Sequence, residues 1–275
     1  MGGVTRIHHL NCASFTPNLG LGLGLPRRLV SHCLVVERDD GLTLVDSGFG
    51  TADTHGRIGR RYAWALGARL DPAEPAAIQL EARGFDPRDV RDIVLTHLDL
   101  DHAGGISDFP AARIHVSASE HAAGMTPRRR RERFGYVTSQ WAHGPNWTMH
   151  EPHGDRWLDF DAVQAVGDDV LLIPLEGHTR GHCGVAVRRP GGGWFLHAGD
   201  AYFAAGEKLP AGRAPIGLRA FQSAIQVDGP ARRRNQERLR SLHAGLAGTS
   251  GGPAPVTIFC AHDVSEFEAL ADQTE

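Results

Sequence analysis

Residues 95–105, LTHLDLDHAGG, crowd two histidines and two aspartates into positions 97–102, between apolar residues and a closing pair of glycines. Few sequence features constrain a fold as strongly, because such polar groups are rarely buried unless something pairs with them. Two readings are open at this point. The stretch is a tight polar turn that caps the next helix, with Asp101 at the N-cap and the glycines supplying the geometry. Otherwise it is a metal site, since imidazole nitrogen and carboxylate oxygen are the donors that zinc and its neighbours favour.

The placement of the remaining polar residues separates these readings. Apolar, β-branched runs recur along the chain, broken by turn signals. RLVSHCLVVER (28–38), DDG (39–41) and LTLVDSGFG (42–50) read as a β-hairpin. PAAIQLEARGF (75–85) and GPARRRNQERLRSLHAGLA (229–247) carry helical spacing. Further strands are predicted at 92–97, 113–119, 169–175, 184–189, 193–200 and 256–263. Asp46, His97, Asp200 and His262 each fall at or just past the C-terminal end of one of these runs, and His178 follows Gly177 beyond another. Loops at strand ends are where a rigid scaffold displays its chemistry. Several such ends, each offering imidazole or carboxylate, point to a converging site rather than to packing.

Composition narrows the class. The chain has 275 residues, of which 41% are hydrophobic and 22% charged, with a formal net charge of −3. These values suit a globular protein and give no global signal for nucleic acid or an anionic membrane. The run Arg128 to Arg131 is the one strong basic patch and reads as a solvated face; should a substrate carry a carboxylate or phosphate, it is the first place to look for an anchor. Cys12, Cys33, Cys183 and Cys260 are widely spaced and read as reduced thiols. No signal-like apolar core and no run of ~20 apolar residues is present, so a cytoplasmic location is expected. Residues 125–160, rich in Arg, His, Trp and Pro, are expected to form a lid or insertion on a single domain spanning 1–275. Its His143, His150 and His153, with Trp141, Trp147 and Trp157, either line a pocket or pin the segment to the core.

The ordered series Asp46, then His97, Asp99, Asp101 and His102, then His178, Asp200 and His262 resembles the signature of the metallo-β-lactamase superfamily over nearly the whole chain. The resemblance implies an α/β fold, a four-layer αββα sandwich of two mixed β-sheets. It further implies two divalent metal ions, zinc first. His97, position 99 and His178 would hold one ion and Asp101, His102 and His262 the other, with Asp200 bridging and Asp46 fixing the surrounding loops. Asp101 would also orient an attacking hydroxide, so the implied reaction is hydrolysis of an ester-like bond in a small molecule, a lactone or a related ester or thioester. The motifs GHTRGH (177–182) and AHD (261–263) look most like the lactonase-type members. Tyr202, two residues after Asp200, is a candidate donor to the substrate carbonyl or else a core residue. His182 is expected to hydrogen-bond within its loop rather than ligate, and His8, His9, Asn11 and Cys12 are expected to be structural.

The family's usual second histidine is here Asp99. Two divalent ions against three carboxylates and a hydroxide leave a formally neutral site, one positive charge short of what a histidine would leave. Such a site is a weaker Lewis acid and opens the way to harder ions such as manganese or iron. Aspartate also reaches less far than the glutamate of the related flavodiiron proteins (H-x-E-x-D-H), so a mononuclear site is an option. A di-iron oxidoreductase-like site is the rival from another reaction class, although only residues 263–275 follow His262 where those proteins carry a flavin domain. A phosphodiesterase or nuclease is disfavoured by the acidic balance, and a metal-stabilised binding protein is a third reading. A homo-oligomer is possible.

Overall fold

The structure of the chain is a computed structural model that describes residues 3–17, 24–151, 154–247 and 255–271. The first sheet contains β1 (Val4–Phe15), β2 (Leu29–Arg38), β3 (Gly41–Val45), β4 (Val90–Val94), β5 (Arg113–Ser117) and β6 (Asn146–His150), in that spatial order. β1, β2 and β3 run antiparallel, and β3 to β6 run parallel. Helices α1 (Arg60–Leu66), α2 (Ala76–Ala82), α3 (Leu100–Ala103), α4 (Ala118–Met125) and α5 (Arg130–Gly135) lie in the connections. The second sheet contains β7 (Asp155–Trp157), β8 (Phe160–Val166), β9 (Val170–Pro174), β10 (Cys183–Arg188), β11 (Trp194–His197) and β12 (Val256–Phe259). It is antiparallel except for β11 and β12. Helices α6 (Ile216–Ile225), α7 (Gly229–Ala247) and α8 (Val264–Ala271) complete the chain.

The two sheets pack because their strands are apolar on both faces. On β2, Leu34 and Val36 enter one buried cluster with Leu172, Val185 and Phe259 of the second sheet. Cys33 and Val35 face an outer cluster with Leu80 of α2. The outer face of the second sheet is covered in the same way: Ile173, Leu196 and Ile258 pack against Leu239 of α7. Helix, sheet, sheet and helix therefore form four layers, the αββα sandwich that the motif order implied.

Residues 125–160 are woven into this frame. β6 closes one edge of the first sheet and β7 one edge of the second. Trp141 and Trp157 are buried in the outer clusters and Trp147 packs against one of them, so these rings pin the segment to the core. His143 is exposed and His150 pairs with His115 at 2.9 Å, whereas His153 lies outside the described residues. Among the described residues of this stretch, only α5 reaches the chemistry. Among the described residues no helix is long and apolar enough to cross a membrane.

Leu34, fully buried between the sheets, offers the simplest test of this architecture. Leu34→Ala is expected to lower unfolding free energy by about 2–5 kcal/mol in a urea titration, as cavity-forming substitutions do.

Candidate metal centre

The site is assembled where strands end. β3 runs out at Asp46, which has a left-handed backbone (φ 55) that an aspartate tolerates better than most residues. That turn aims its carboxylate at the neighbouring loop, where it accepts hydrogen bonds from Thr96 N, Thr96 Oγ1 and His102 Nδ1, each at 2.8 Å. Because the Thr96 hydroxyl donates to Asp46, it accepts from His97 Nδ1 at 2.9 Å. Both rings are thereby held with Nε2 facing inward. His262 is oriented likewise, donating from Nδ1 to the Val30 carbonyl at 2.7 Å.

Asp200 sits at the centre of these imidazoles. His102 Nε2 and His262 Nε2 lie 3.3 and 3.0 Å from Asp200 Oδ1, and His97 Nε2 and His178 Nε2 lie 3.8 and 3.3 Å from Oδ2. Asp101 approaches His102 and His262 at 3.7 and 3.9 Å and accepts from Ser31 Oγ at 2.9 Å. Among the described residues three sets of donors lie close enough to share an ion: His97, Asp99 and His178; His97, His102 and Asp200; and Asp101, His102 and His262. All are buried. Within them His97 Nε2, His102 Nε2 and Asp200 Oδ1 have no hydrogen-bond partner among the described residues. Buried polar atoms are rarely left so, and a divalent cation would satisfy all of them. The donor set fits a metal.

The electrostatics agree. Burial alone would raise the Asp200 carboxyl, but the imidazoles of His262, His102 and His178 hold it well below the usual carboxylate range. Burial would likewise raise Asp99, and there the Arg131 guanidinium leads the groups that hold the carboxyl well below its ordinary value. Burial would lower His102, yet the carboxylates of Asp200, Asp101 and Asp46 push it well above its ordinary value. His178 goes the other way, down to about 4, because burial outweighs the carboxylates and the Arg131 charge adds to it.

His182 lies beside the cluster with both ring nitrogens engaged. It donates from Nδ1 to the Leu175 carbonyl at 2.9 Å and accepts at Nε2 from the Asp200 N–H at 2.8 Å. It therefore positions Asp200. Gly199 (φ +53) permits the approach, since a Cβ there would stand 2.5 Å from His182 Nε2. His9 packs away from the site, paired with His32 at 2.7 Å, and burial lowers it to about 3.

The profile of the metallo-β-lactamase superfamily matches residues 26–247. The chain belongs to that superfamily. A probable metallo-hydrolase of Mycobacterium tuberculosis, Rv2300c, is 39% identical, with 98% of this chain and 84% of the relative aligned. The N-acyl homoserine lactonase AttM of Rhizobium radiobacter is 29% identical over 70% of this chain and 73% of its own length. Among solved structures, an N-acyl homoserine lactone hydrolase with the product N-hexanoyl-L-homoserine bound at its catalytic metal center superposes with a TM-score of 0.72 at 20% identity, covering 97% of this chain and 96% of that one. As a member of the metallo-β-lactamase superfamily with metallo-hydrolase relatives, the chain is a metal-dependent hydrolase.

Tyr202 requires a correction. Its hydroxyl is buried and donates to Glu266, 3.0 Å from Oε1, inside the cluster beneath the second sheet. It therefore cannot present a hydrogen bond to substrate. Three groups escaped the sequence reading. Glu120, on α4, accepts from Leu98 N at 2.9 Å, Tyr136 OH at 2.9 Å, Thr179 Oγ1 at 2.7 Å and Gly181 N at 3.0 Å, tying the loops of His97 and His178 together. Ser31 holds Asp101. Arg131, read as part of a solvated run, is largely buried and grips Asp99, with Nη1 donating to Oδ1 at 2.8 Å and Nη2 to Oδ2. Nothing in the run Arg128 to Arg131 marks which of the four turns inward.

The corrected place of Tyr202 makes Tyr202→Phe informative. The variant is expected to keep its turnover number and to lose roughly 1–2 kcal/mol of stability in chemical denaturation, from the lost bond to buried Glu266.

Proposed function

We propose that the chain hydrolyses a lactone or a related ester or thioester that carries an apolar arm. The carrying observation is a cavity of about 340 Å³ whose floor includes Asp101, Asp200 and His262 and whose walls include Phe15, Leu29, Leu66, Phe134, Phe203 and Ile225. An apolar chamber opening onto a metal-ligating cluster suits a substrate with a greasy portion and one reactive carbonyl. The lactonase names among the relatives support the same class.

His97, His102, Asp101, Asp200 and His262 are the residues we assign to the metal, and zinc is the ion an imidazole-rich set favours once Asp99 and His178 are engaged by Arg131. A metal held by these residues would supply polarisation of the scissile carbonyl and a more acidic water. The protein supplies the rest. Asp46 and Thr96 lock the His97 and His102 rings, and His182 fixes the Asp200 backbone. Asp101, held by Ser31 at the cavity floor, is placed to accept the proton of the attacking water and return it to the leaving oxygen or sulfur. The apolar walls exclude bulk water and orient the substrate arm.

Neither rival gains a specific observation. The di-iron reading needs the carboxylate at 99 as a ligand, and here it is gripped by a guanidinium. The nuclease reading needs cations facing the cavity, and the arginine that lines it is already paired with Asp99.

A panel of lactones, thioesters, phosphodiesters and β-lactams on zinc-loaded protein tests the reading. Turnover of lactones or thioesters is expected, falling by more than about a hundredfold in His102→Ala. Along an acyl series kcat/KM is expected to rise roughly fourfold per added CH₂ until the cavity is filled. Hydrolysis of phosphodiesters alone, or activity surviving His102→Ala, contradicts it.

A further inference from the structure

Asp99 and His178 are not free to bind a metal as the other donors are. The Arg131 guanidinium lies across both: it forks onto the two Asp99 oxygens and brings Nη2 to 2.8 Å from His178 Nε2, which also stands 3.0 Å from Asp99 Oδ2, so that this nitrogen is engaged in either tautomer. An imidazole Nε2 has one lone pair, so it can accept from an arginine N–H or bind an ion, not both. Arginine stays charged at any working pH and cannot yield by losing its proton.

The clamp is built. Arg131 Nε donates to the Ile225 carbonyl at the end of α6. Next to it, Glu132 accepts from Arg128 N at 2.7 Å, Arg129 N at 2.9 Å and Arg180 Nε at 2.7 Å, fastening the start of α5 to the loop that bears His178. Gly135 leaves the space the pair needs: a Cβ there would stand 2.0 Å from Arg131 Nη1 and 2.5 Å from Asp99 Oδ1.

On the other side of the cluster no cation competes among the described residues. His97 Nε2, His102 Nε2 and Asp200 Oδ1 are unpartnered there, with Asp101 and His262 beside them. One divalent ion at that place, together with the Arg131 cation, balances the three carboxylates of Asp99, Asp101 and Asp200. A second divalent ion beside Arg131 would leave two surplus positive charges against these carboxylates, of which a shared hydroxide offsets only one, in a buried site where like charges repel strongly.

We propose that Arg131 is the resident cation of the Asp99–His178 half of the centre, so that the protein holds one metal ion tightly, on His102, Asp200, Asp101 and His262 with His97 in reach, and admits a second only by displacing the guanidinium from His178. The proposal rests on the metal-site reading above and refines how many ions the site takes. It also explains why an aspartate stands at 99: the carboxylate and Arg131 form one unit, and neither is useful without the other.

Zinc binding measured by equilibrium dialysis with elemental analysis tests this without any substrate. The wild-type chain is expected to bind one equivalent tightly and a second on the order of tenfold or more weakly. Arg131→Met is expected to tighten the second equivalent by a similar factor. Should that variant fold poorly because Asp99 is left unpaired, Asp99→His combined with Arg131→Met restores an uncharged pair of donors and is expected to bind two equivalents with like affinity. Two tight equivalents in the wild type, or a second affinity unchanged in both variants, overturns the proposal. Failure of the metal-site reading itself looks different: no tight zinc in the wild type, or a tight equivalent undiminished in His102→Ala.

Discussion

Three carboxylates, Asp99, Asp101 and Asp200, are buried together among four imidazoles, and the surrounding structure is organised to make that burial tolerable. An ionised carboxylate removed from water is costly unless charge and hydrogen bonds replace the solvent. Here the replacements are Arg131 on Asp99, the Ser31 hydroxyl on Asp101 and the ring of histidines around Asp200. His97 Nε2, His102 Nε2 and Asp200 Oδ1, unpaired among the described residues, are atoms whose bonding a divalent cation would complete.

The sandwich supplies the precision. Donors come from loops that follow β4, β9, β11 and β12, elements fixed by the apolar cluster between the sheets. Each loop is then tied to another: Asp46 to Thr96 and His102, Glu120 to the loops of His97 and His178, His182 to Asp200, and the Val30 carbonyl to His262. Most of these ties are single buried hydrogen bonds from atoms that do not touch the cluster's centre. They set ring orientation, which decides whether a nitrogen faces an ion or a carbonyl.

Much of this was legible in the residues. Apolar runs ending in Asp or His announced the strands and the residues that cluster at their ends, and helix α7 follows its spacing over the whole of 229–247. β1 was not legible, because VTRIHHLNCASF interleaves polar and apolar residues on a strand where His9 is buried against a partner far away in sequence. β6 and β7 were hidden in a stretch with weak periodicity, and β8, FDAVQAV, just past it, carries too short an alternation to stand out. Arg131 was hidden by its neighbours, since four consecutive arginines read as one solvated face although a short helix turns a single one inward. Glu120 looks like any helix carboxylate until its four distant donors are seen. Tyr202 shows the converse limit: closeness in sequence to Asp200 carries no information about which way a loop side chain points.

The most direct test is an anomalous difference map, measured at the zinc absorption edge from crystals soaked in zinc. A metal centre built on these donors requires a peak at coordination distance, about 2.0–2.2 Å, from His102 Nε2, His262 Nε2 and an Asp200 oxygen. A map without a peak there, with those imidazoles instead bonded to water or to one another, would contradict it.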